Sequence, residues 1–181
     1  MATITLKGLA HSYLPQPRDP KTHPQDYAIQ ALDHVWEQGG AYALLGPSGC
    51  GKSTLLNIIS GLLTPSSGDV LFDEQVVNTL SPEQRNIAQV FQFPVVYDAM
   101  TVAENLAFPL KNIKMPKAQI KAKVHEVADL LELTDSLNKK AKNLSADQKQ
   151  KVSMARGLVR EDVSAILFDE PLTVIDPNLK W

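Results

Sequence analysis

One segment of the sequence has the residue types and spacing of a phosphate-binding loop. Residues 46–54 read Gly-Pro-Ser-Gly-Cys-Gly-Lys-Ser-Thr, which matches the pattern G-x-x-x-x-G-K-[ST]. Its glycines allow the backbone to approach an anion closely, the Lys52 ammonium can contact the β- and γ-phosphates, and the Ser53 hydroxyl can bind Mg²⁺. The sequence therefore predicts nucleotide binding by Gly46, Pro47, Ser48, Gly49, Cys50, Gly51, Lys52, Ser53 and Thr54. A glycine-rich turn without a ligand is the alternative, but these specified positions recur by chance in roughly one sequence in a hundred or fewer.

Two adjacent carboxylates, Asp169 and Glu170, follow an apolar segment in the last part of the sequence. Val163–Phe168 is predicted to be a buried strand, so both carboxylates lie at its carboxyl end. At this position Asp169 can hold Mg²⁺ through water, and Glu170 can orient or deprotonate an attacking water molecule. A surface turn is the simpler interpretation of an Asp-Glu pair alone. Together with the phosphate loop, the pair favours a site that hydrolyses a nucleotide.

The flanking segments give the phosphate loop the setting that its chemistry requires. Ala41–Leu45 is predicted to be a short buried strand, and Ser53–Leu63 has the apolar spacing of a helix. The loop would then lie in a strand-to-helix turn, where the positive end of the helix dipole also faces the phosphates.

Further strands and helices are predicted around this turn. Strand patterns occur in Ala2–Tyr13, Ala28–Glu37, Val70–Phe72 and Ile87–Phe91. After Pro94 the spacing becomes helical, and a helix of about four turns begins after Pro116. Its apolar face consists of Ile120, Val124, Val127 and Leu131. Another helix is predicted over Leu144–Val159, with Ser145 as its N-cap.

Composition and charge limit the class of protein. The 181 residues suit one domain with a sizeable core, and their formal net charge is -2 with a pI near 6.1. Because binding to nucleic acid needs a clustered excess of Lys and Arg, no nucleic-acid partner is expected. A single cysteine, Cys50, excludes a disulfide framework and favours a reducing cytosol. No apolar segment reaches the roughly 18 to 20 residues of a membrane span, so direct membrane insertion is not expected.

Taken in order, these motifs resemble those of the ATP-binding subunit of an ATP-binding-cassette (ABC) transporter over essentially the whole chain. Residues 46–54 correspond to the Walker A loop of that family, and Ile166–Glu170 to its Walker B strand. Gln92, which follows Val-Phe, resembles the Q-loop glutamine. Leu144–Gln148 stands where the signature Leu-Ser-Gly-Gly-Gln is expected, and Thr173–Asp176 resembles the D-loop.

The resemblance implies roles for individual residues. ATP would be bound by the Walker A loop, by Asp169 and by Tyr13, which matches the aromatic residue that stacks on adenine. Mg²⁺ would be held by Ser53, Gln92 and Asp169, while Gln92 and Glu170 would be the catalytic residues. The residues that act on ATP held by a partner subunit would be Ser145, Ala146, Asp147, Gln148 and Asp176. Tyr13 is alternatively a core or edge-strand residue, and Gln92 an ordinary polar residue at a strand end.

The resemblance also implies a fold and a subfamily. The expected fold class is α/β, with a P-loop NTPase (RecA-like) core, an antiparallel N-terminal β subdomain and an inserted α-helical subdomain. Residues 1–93 and 161–181 would form the ATP-binding core, and residues 94–160 the helical subdomain. The sequences of Pro82–Gln92 and Thr101–Leu106 are most similar to those of importers of sugars and glycerol phosphates.

Two features depart from the family pattern. Ala146 and Asp147 replace the two glycines of the signature. The Ala146 side chain would crowd the approach to the partner's ATP, and the Asp147 carboxylate would repel its γ-phosphate by about a few kcal/mol unless Lys149 or Mg²⁺ offsets the repulsion. We therefore expect weakened hydrolysis, the alternative being a loop that relaxes and functions. The sequence also ends at Trp181 without the switch histidine and further strands of the family, so we expect a truncated cassette domain.

The implied function is ATP hydrolysis that drives import of a small solute, a carbohydrate or a glycerol phosphate, through a separate membrane permease. Such a subunit forms a head-to-tail dimer with a second ATP-binding subunit, identical or different, at the cytoplasmic face of the cell membrane. A degenerate regulatory subunit with little hydrolysis is one alternative. A soluble ABC ATPase of DNA repair or translation is another, but Gly46 and Leu144 are too close in sequence for the long coiled-coil insertion of that class.

Overall fold

The computed structural model describes residues 1–172, which form two compact units. The first unit comprises Met1–Ile87, and the second begins at Ala88. The subdomain boundaries implied by the resemblance, after residues 93 and 160, stay a prediction. Within residues 1–172, no helix combines the length and the apolar character that crossing a membrane requires.

The first unit contains a four-stranded antiparallel sheet in the order β2-β1-β3-β4. Its strands are β1 (Ile4–His11), β2 (Ile29–Trp36), β3 (Ser67–Phe72) and β4 (Gln75–Val76). Ile4 of the inner strand β1 is paired with Trp36 on one side and with Phe72 on the other. β-branched and aromatic residues favour such a pleated surface. The predicted antiparallel N-terminal sheet is therefore confirmed.

Helix α1 (Lys52–Ser60) follows the phosphate loop and buries an apolar face. Its buried apolar residues are Leu55, Leu56, Ile58 and Ile59. The predicted helix over Ser53–Leu63 is confirmed, although it ends earlier, because Gly61 adopts a left-handed conformation with φ 86°. A short helix, α2 (Pro82–Arg85), begins with a capping box.

Arg85, at the end of α2, is buried and stabilises the carboxyl end of α1. Its Nη1 donates to the carbonyl oxygens of Ile58 at 2.7 Å and Ile59 at 3.0 Å, and its Nε donates to that of Leu80 at 3.0 Å. Burial lowers the pKa of the guanidinium, which nevertheless stays charged at neutral pH. The last carbonyls of a helix have no partner within it, so this cation satisfies groups that would otherwise be unpaired.

The predicted strand over Ala41–Leu45 is wrong. No strand forms there, and all five side chains are exposed, Leu45 to 92%. An apolar segment forms a buried strand only when neighbouring strands satisfy its N–H and C=O groups and other elements cover its faces. No strand of residues 1–172 pairs with this segment. The residue pattern of a single segment carries no information on that condition.

The second unit is mainly helical. Its helices are α3 (Val102–Asn112), α4 (Lys117–Leu130) and α5 (Ala146–Leu158), and 3₁₀ turns occur at Thr134–Ser136 and Ala141–Asn143. All three helices contribute to one apolar core, which includes Val102, Leu106, Val124, Val127 and Val152. The helix predicted after Pro116 is confirmed as α4, with Ile120 buried and Leu131 partly buried at its end.

Two strands, β5 (Ile87–Val90) and β6 (Ala165–Phe168), form a separate two-stranded sheet. The predicted strands over Ile87–Phe91 and Val163–Phe168 form with shorter bounds. The predicted burial of the second strand is wrong in part, because Leu167 is the only buried residue of β6 and Phe168 is exposed. The pairing extends past β6 through one hydrogen bond, from the Asp169 N–H to the Val90 carbonyl oxygen at 2.9 Å. The residues that follow the two strands therefore start from neighbouring positions.

Candidate functional site

The phosphate loop leads directly into α1, and Gly51 is the N-cap of this helix with φ 96°. A Cβ atom at Gly51 would lie 2.6 Å from the carbonyl oxygen of Ala28 and 2.8 Å from Cδ1 of Ile29. The left-handed backbone and this close approach both favour glycine over every other residue type. N–H groups at a helix N-terminus lack acceptors within the helix and can therefore bind phosphate oxygens.

The Lys52 ammonium lies within the phosphate loop. Its Nζ donates to the carbonyl oxygens of Gly46 at 2.9 Å and Pro47 at 3.1 Å, and it lies 4.0 Å from Sγ of Cys50. These contacts join the two ends of the loop. Because Lys52 is the first residue of α1, its side chain joins the start of this helix to the loop.

Tyr13 follows β1 and lies beside the start of α1. Its hydroxyl oxygen is 3.0 Å from Oγ1 of Thr54, and its ring meets that of His11 edge-on with a centroid distance of 4.7 Å. The residue is 65% exposed, which leaves ring surface available for stacking on a base. This exposure excludes the alternative of a core tyrosine, and the two contacts fix the ring near the phosphate loop.

In the second unit, Gln92 follows β5, while Asp169 and Glu170 follow β6. Asp169 is half-buried and remains in the ladder through its N–H, whereas Glu170 is exposed. Glu170 has φ 46°, a left-handed conformation that costs a non-glycine residue roughly 1 to 2 kcal/mol. Strained residues of this kind cluster at functional sites. Because its side chain is exposed, Glu170 is also accessible to water.

The predicted site residues fall into two groups. The first unit holds Tyr13 together with the phosphate loop, and the second holds Gln92, Asp169 and Glu170. That the two groups bind one nucleotide stays a prediction. Asp176 and the rest of the predicted D-loop lie outside the described residues.

The signature segment forms the start of α5. Ser145 is the N-cap: its Oγ accepts from the Gln148 N–H at 3.2 Å, and the Gln148 side chain accepts from the Ser145 N–H at 3.2 Å. The predicted N-cap is therefore confirmed. Ala146 and Asp147 lie in the first turn, where a carboxylate interacts favourably with the helix dipole.

The Asp147 carboxylate is incompletely satisfied. Its Oδ1 is buried and has no hydrogen-bond partner among residues 1–172. Lys149, the residue that the sequence offered to offset this charge, pairs instead with Asp98, with 2.9 Å between Nζ and Oδ1. The N-terminus of α5, where Asp147 lies in the first turn, is a positive group beside this carboxylate.

Sequence reasoning missed Gln150, a fully buried residue of α5. Its Nε2 donates to the carbonyl oxygens of Phe91 at 3.3 Å and Pro171 at 2.9 Å, and both acceptors adjoin residues of the predicted site. One signal was available, since Gln150 shares a helix face with Ser153 and Gly157, which are also buried. A polar residue on a buried face indicates a specific hydrogen-bonding role.

Comparison with known proteins places these features in a family context. A sequence model of the family described as "ABC transporter" matches residues 29–173. The sn-glycerol-3-phosphate import ATP-binding protein UgpC of Rhizobium meliloti (strain 1021) is 42% identical over 180 residues, which cover 99% of this chain and 49% of that protein. The protein of the same name from Bordetella avium (strain 197N) is also 42% identical, with coverage of 99% and 47%. The chain thus spans about half the length of the curated relatives it matches.

A solved structure supports the fold. The protein cbiO1 from Clostridium perfringens, part of the ABC transporter complex cbiONQ, matches with a TM-score of 0.78 at 28% sequence identity. The match covers 97% of this chain and 68% of that chain. The predicted α/β fold class, that of a P-loop NTPase with an antiparallel N-terminal sheet, is therefore confirmed.

Proposed function

The chain belongs to the ABC transporter family, and from this premise we propose that it is the ATP-binding and ATP-hydrolysing subunit of an importer. A separate membrane permease would carry the small solute, a carbohydrate or a glycerol phosphate. The observation that carries the proposal is the phosphate loop, in which Gly51 caps α1 and Lys52 Nζ is held by the loop carbonyls. The 42% identity to UgpC proteins, named for sn-glycerol-3-phosphate import, supports this class of solute.

ATP binding rests on the first unit. The N–H groups at the start of α1 and the Lys52 ammonium bind the phosphates, and the exposed ring of Tyr13 stacks on adenine. These groups fit the nucleotide because amide N–H groups, an ammonium and the positive end of a helix dipole all favour an anion.

Mg²⁺ is the metal that suits the proposed donors, which are the Ser53 hydroxyl, the Gln92 amide oxygen and the Asp169 carboxylate. All three are oxygen ligands, the type that Mg²⁺ prefers. When bound, the ion would neutralise phosphate charge during hydrolysis. The N–H of Asp169 is held by the Val90 carbonyl, so its carboxylate projects from a backbone that the strand pairing fixes.

Glu170 is the proposed general base, and Gln92 helps to orient the attacking water. Glu170 is exposed at the turn after β6, whereas Asp169 is half-buried in the ladder. The two adjacent carboxylates thus have different environments, which suit Asp169 for binding the metal and Glu170 for proton transfer.

A second ATP-binding subunit, identical or different, completes the site in this proposal. The residues that would face its ATP are Ser145, Ala146, Asp147, Gln148 and Asp176. A second candidate function is a regulatory subunit with little hydrolysis. The incompletely satisfied carboxylate of Asp147 favours it, because a negative charge at this helix start would oppose the partner's γ-phosphate.

The segment that follows Gln92 is the proposed contact with the permease. Phe93, Val95 and Tyr97 are 71%, 49% and 42% exposed, and clustered apolar residues of this kind mark interaction surfaces. Arg156 supports the segment, since its Nη1 donates to the Val95 carbonyl and its guanidinium lies 4.5 Å from the centre of the Tyr97 ring. The permease would hold the subunit at the cytoplasmic face of the cell membrane.

Transport by reconstituted vesicles tests the proposal. The intact protein is purified with candidate permease subunits from the same organism, and uptake of labelled glycerol 3-phosphate and maltose is measured with and without enclosed ATP. We expect ATP-dependent uptake of one solute, which the variant Lys52→Ala abolishes. ATP binding without hydrolysis would support the regulatory subunit, whereas hydrolysis that no permease stimulates would support a soluble ABC ATPase. Failure to bind ATP would refute all three.

A further inference from the structure

Gln150 is a fully buried polar residue. It is 0% exposed in α5, and Ser153 and Gly157 on the same helix face are also buried. Its Nε2 donates to the carbonyl oxygens of Pro171 at 2.9 Å and Phe91 at 3.3 Å. These acceptors are 21 and 59 residues away in sequence, so one side chain joins three distant segments of the second unit.

The two acceptors lie where the backbone leaves the paired strands β5 and β6. Phe91 follows β5 and directly precedes Gln92, and Pro171 directly follows Glu170. The Gln150 amide therefore holds the backbone next to each of the two proposed catalytic residues.

The hydrogen-bonding pattern of Gln150 suits an uncharged group with two N–H donors. Both acceptors are carbonyl oxygens, and the –NH₂ group of glutamine supplies one hydrogen to each without introducing a charge. The other end of the amide, Oε1, is buried and accepts no hydrogen bond from residues 1–172. An unsatisfied buried acceptor destabilises a fold, and leucine would fill a similar volume without one. The presence of glutamine thus points to the donated bonds rather than to packing.

We propose that Gln150 is a positioning residue for ATP hydrolysis, which holds Phe91 and Pro171 so that Gln92 and Glu170 keep a fixed orientation. This inference rests on the proposed function. Gln150 acts through the backbone and does not touch ATP, whose phosphates bind the loop at residues 46–54. Its loss should therefore lower kcat more than it changes KM.

Three variants of the intact protein separate positioning from packing. Gln150→Leu keeps the volume and removes both donors, and Gln150→Glu keeps the shape but loses them when ionised. Val152→Ala is the matched control, because it removes apolar volume from the same buried helix and leaves Gln150 in place. We expect kcat to fall at least about tenfold in Gln150→Leu with KM for ATP within about threefold, a loss of transition-state stabilisation. Val152→Ala should keep kcat within about twofold.

The pH dependence of Gln150→Glu is a readout that packing alone would not move. Burial raises the pKa of a carboxyl group, and the protonated form can donate one hydrogen bond. The ratio of variant to wild-type kcat should rise several-fold between about pH 8 and about pH 6. If Gln150→Glu has the same kcat as the wild type at every pH between about 6 and 8, the inference is refuted. If Gln150→Leu does not fold, the pH dependence of kcat in Gln150→Glu is sufficient to test the inference.

Hydrogen exchange makes the test independent of the proposed function. Exchange of the backbone N–H groups of residues 91–93, 168–170 and 172 is compared in wild type, Gln150→Leu and Val152→Ala without nucleotide, since Pro171 has no N–H. We expect faster exchange of both segments in Gln150→Leu only, because both lose their anchoring bonds. Wild-type kcat and unchanged exchange in Gln150→Leu would refute the inference. A wild type without hydrolysis, combined with faster exchange in Gln150→Leu, would refute the proposed function while supporting the holding role.

Discussion

The hydroxyl oxygen of Tyr13 lies 3.0 Å from Oγ1 of Thr54, so the polar end of the tyrosine is attached to the first turn of α1. The residue is nevertheless 65% exposed. The aromatic ring is therefore held beside the phosphate loop with surface available to a base. From this arrangement, affinity for adenine should depend on the ring rather than on the hydroxyl.

Tyr13→Ala should weaken ATP binding about tenfold or more, because stacking of a base on an aromatic side chain is worth about 1 to 3 kcal/mol. Tyr13→Phe is the matched control and should remain within about threefold of wild type. Titration with a fluorescent ATP analogue measures both affinities. If Tyr13→Ala and Tyr13→Phe lose the same affinity for the analogue, the contribution of Tyr13 comes from the contact of its hydroxyl with Thr54 and not from the ring.

Lys52→Ala should weaken Mg-ATP binding by about 1.5 to 3 kcal/mol, since it removes a charge-assisted contact with the phosphates. It also removes the bonds to the carbonyls of Gly46 and Pro47 that join the ends of the loop. Lys21→Ala deletes the same charge at an exposed position of the first unit and should leave affinity unchanged. Equilibrium titration measures the affinity of both variants for Mg-ATP. An affinity of Lys52→Ala within about twofold of wild type would refute the phosphate-loop assignment.

Glu170→Gln should retain ATP binding and lose turnover in the intact protein, because the amide keeps the size of the side chain but cannot accept a proton as a base. Turnover and affinity are measured on the same preparation. Glu74→Gln, at another exposed position, is the control for the loss of one charge. Hydrolysis at the parental rate would leave Glu170 with a structural role only.

Replacing both Ala146 and Asp147 by glycine should raise the ATPase rate or ATP-driven dimerisation, if the present signature impairs the partner's site. The double change uncovers N–H groups at the start of α5 and removes a carboxylate whose Oδ1 has no hydrogen-bond partner among residues 1–172. Asp147→Asn removes the charge alone and should give part of the increase. A double variant that is no faster and dimerises no better would remove the main support for a regulatory subunit. An increase seen only with a second, intact cassette subunit would indicate a heterodimer.

Arg85→Met should lower the free energy of unfolding by about 3 kcal/mol, because the carbonyls of Ile58, Ile59 and Leu80 lose a charged donor in a buried place. Lys21→Met removes a cation at an exposed position of the same unit and should change the free energy of unfolding by about 0.5 kcal/mol or less. Urea unfolding of both variants measures the difference. Similar losses would show that the position of Arg85 at the end of α1 has no special effect.

Local signals explain which parts of the fold could be predicted. The helix after Pro116 and the N-cap at Ser145 depend on neighbours within one or two turns, and both are confirmed. The strand predicted over Ala41–Leu45 depends on partner strands that its own residues cannot specify, and it is wrong. The bonds of Arg85 and Gln150 connect side chains to backbone carbonyls far away in sequence, so no short pattern predicts which carbonyls accept them.

Motif and resemblance named the candidate site residues, but they gave no account of what holds those residues. The attachment of Tyr13 to Thr54 and the pairing of Lys149 with Asp98 are tertiary contacts that became known only from the structure. The roles of the candidate site residues in ATP binding and hydrolysis stay predictions, which the experiments above test.

Helix α5 carries the signature segment at its start and Gln150 in its second turn. A helix of 13 residues moves as a stiff unit, so a rotation imposed at Ser145 also displaces the amide that holds Phe91 and Pro171. In the proposed dimer, ATP bound by one subunit would thereby alter the rate of hydrolysis in the other. The consequence is cooperativity: turnover would rise sigmoidally with ATP concentration, with a Hill coefficient between about 1 and 2 for two coupled sites.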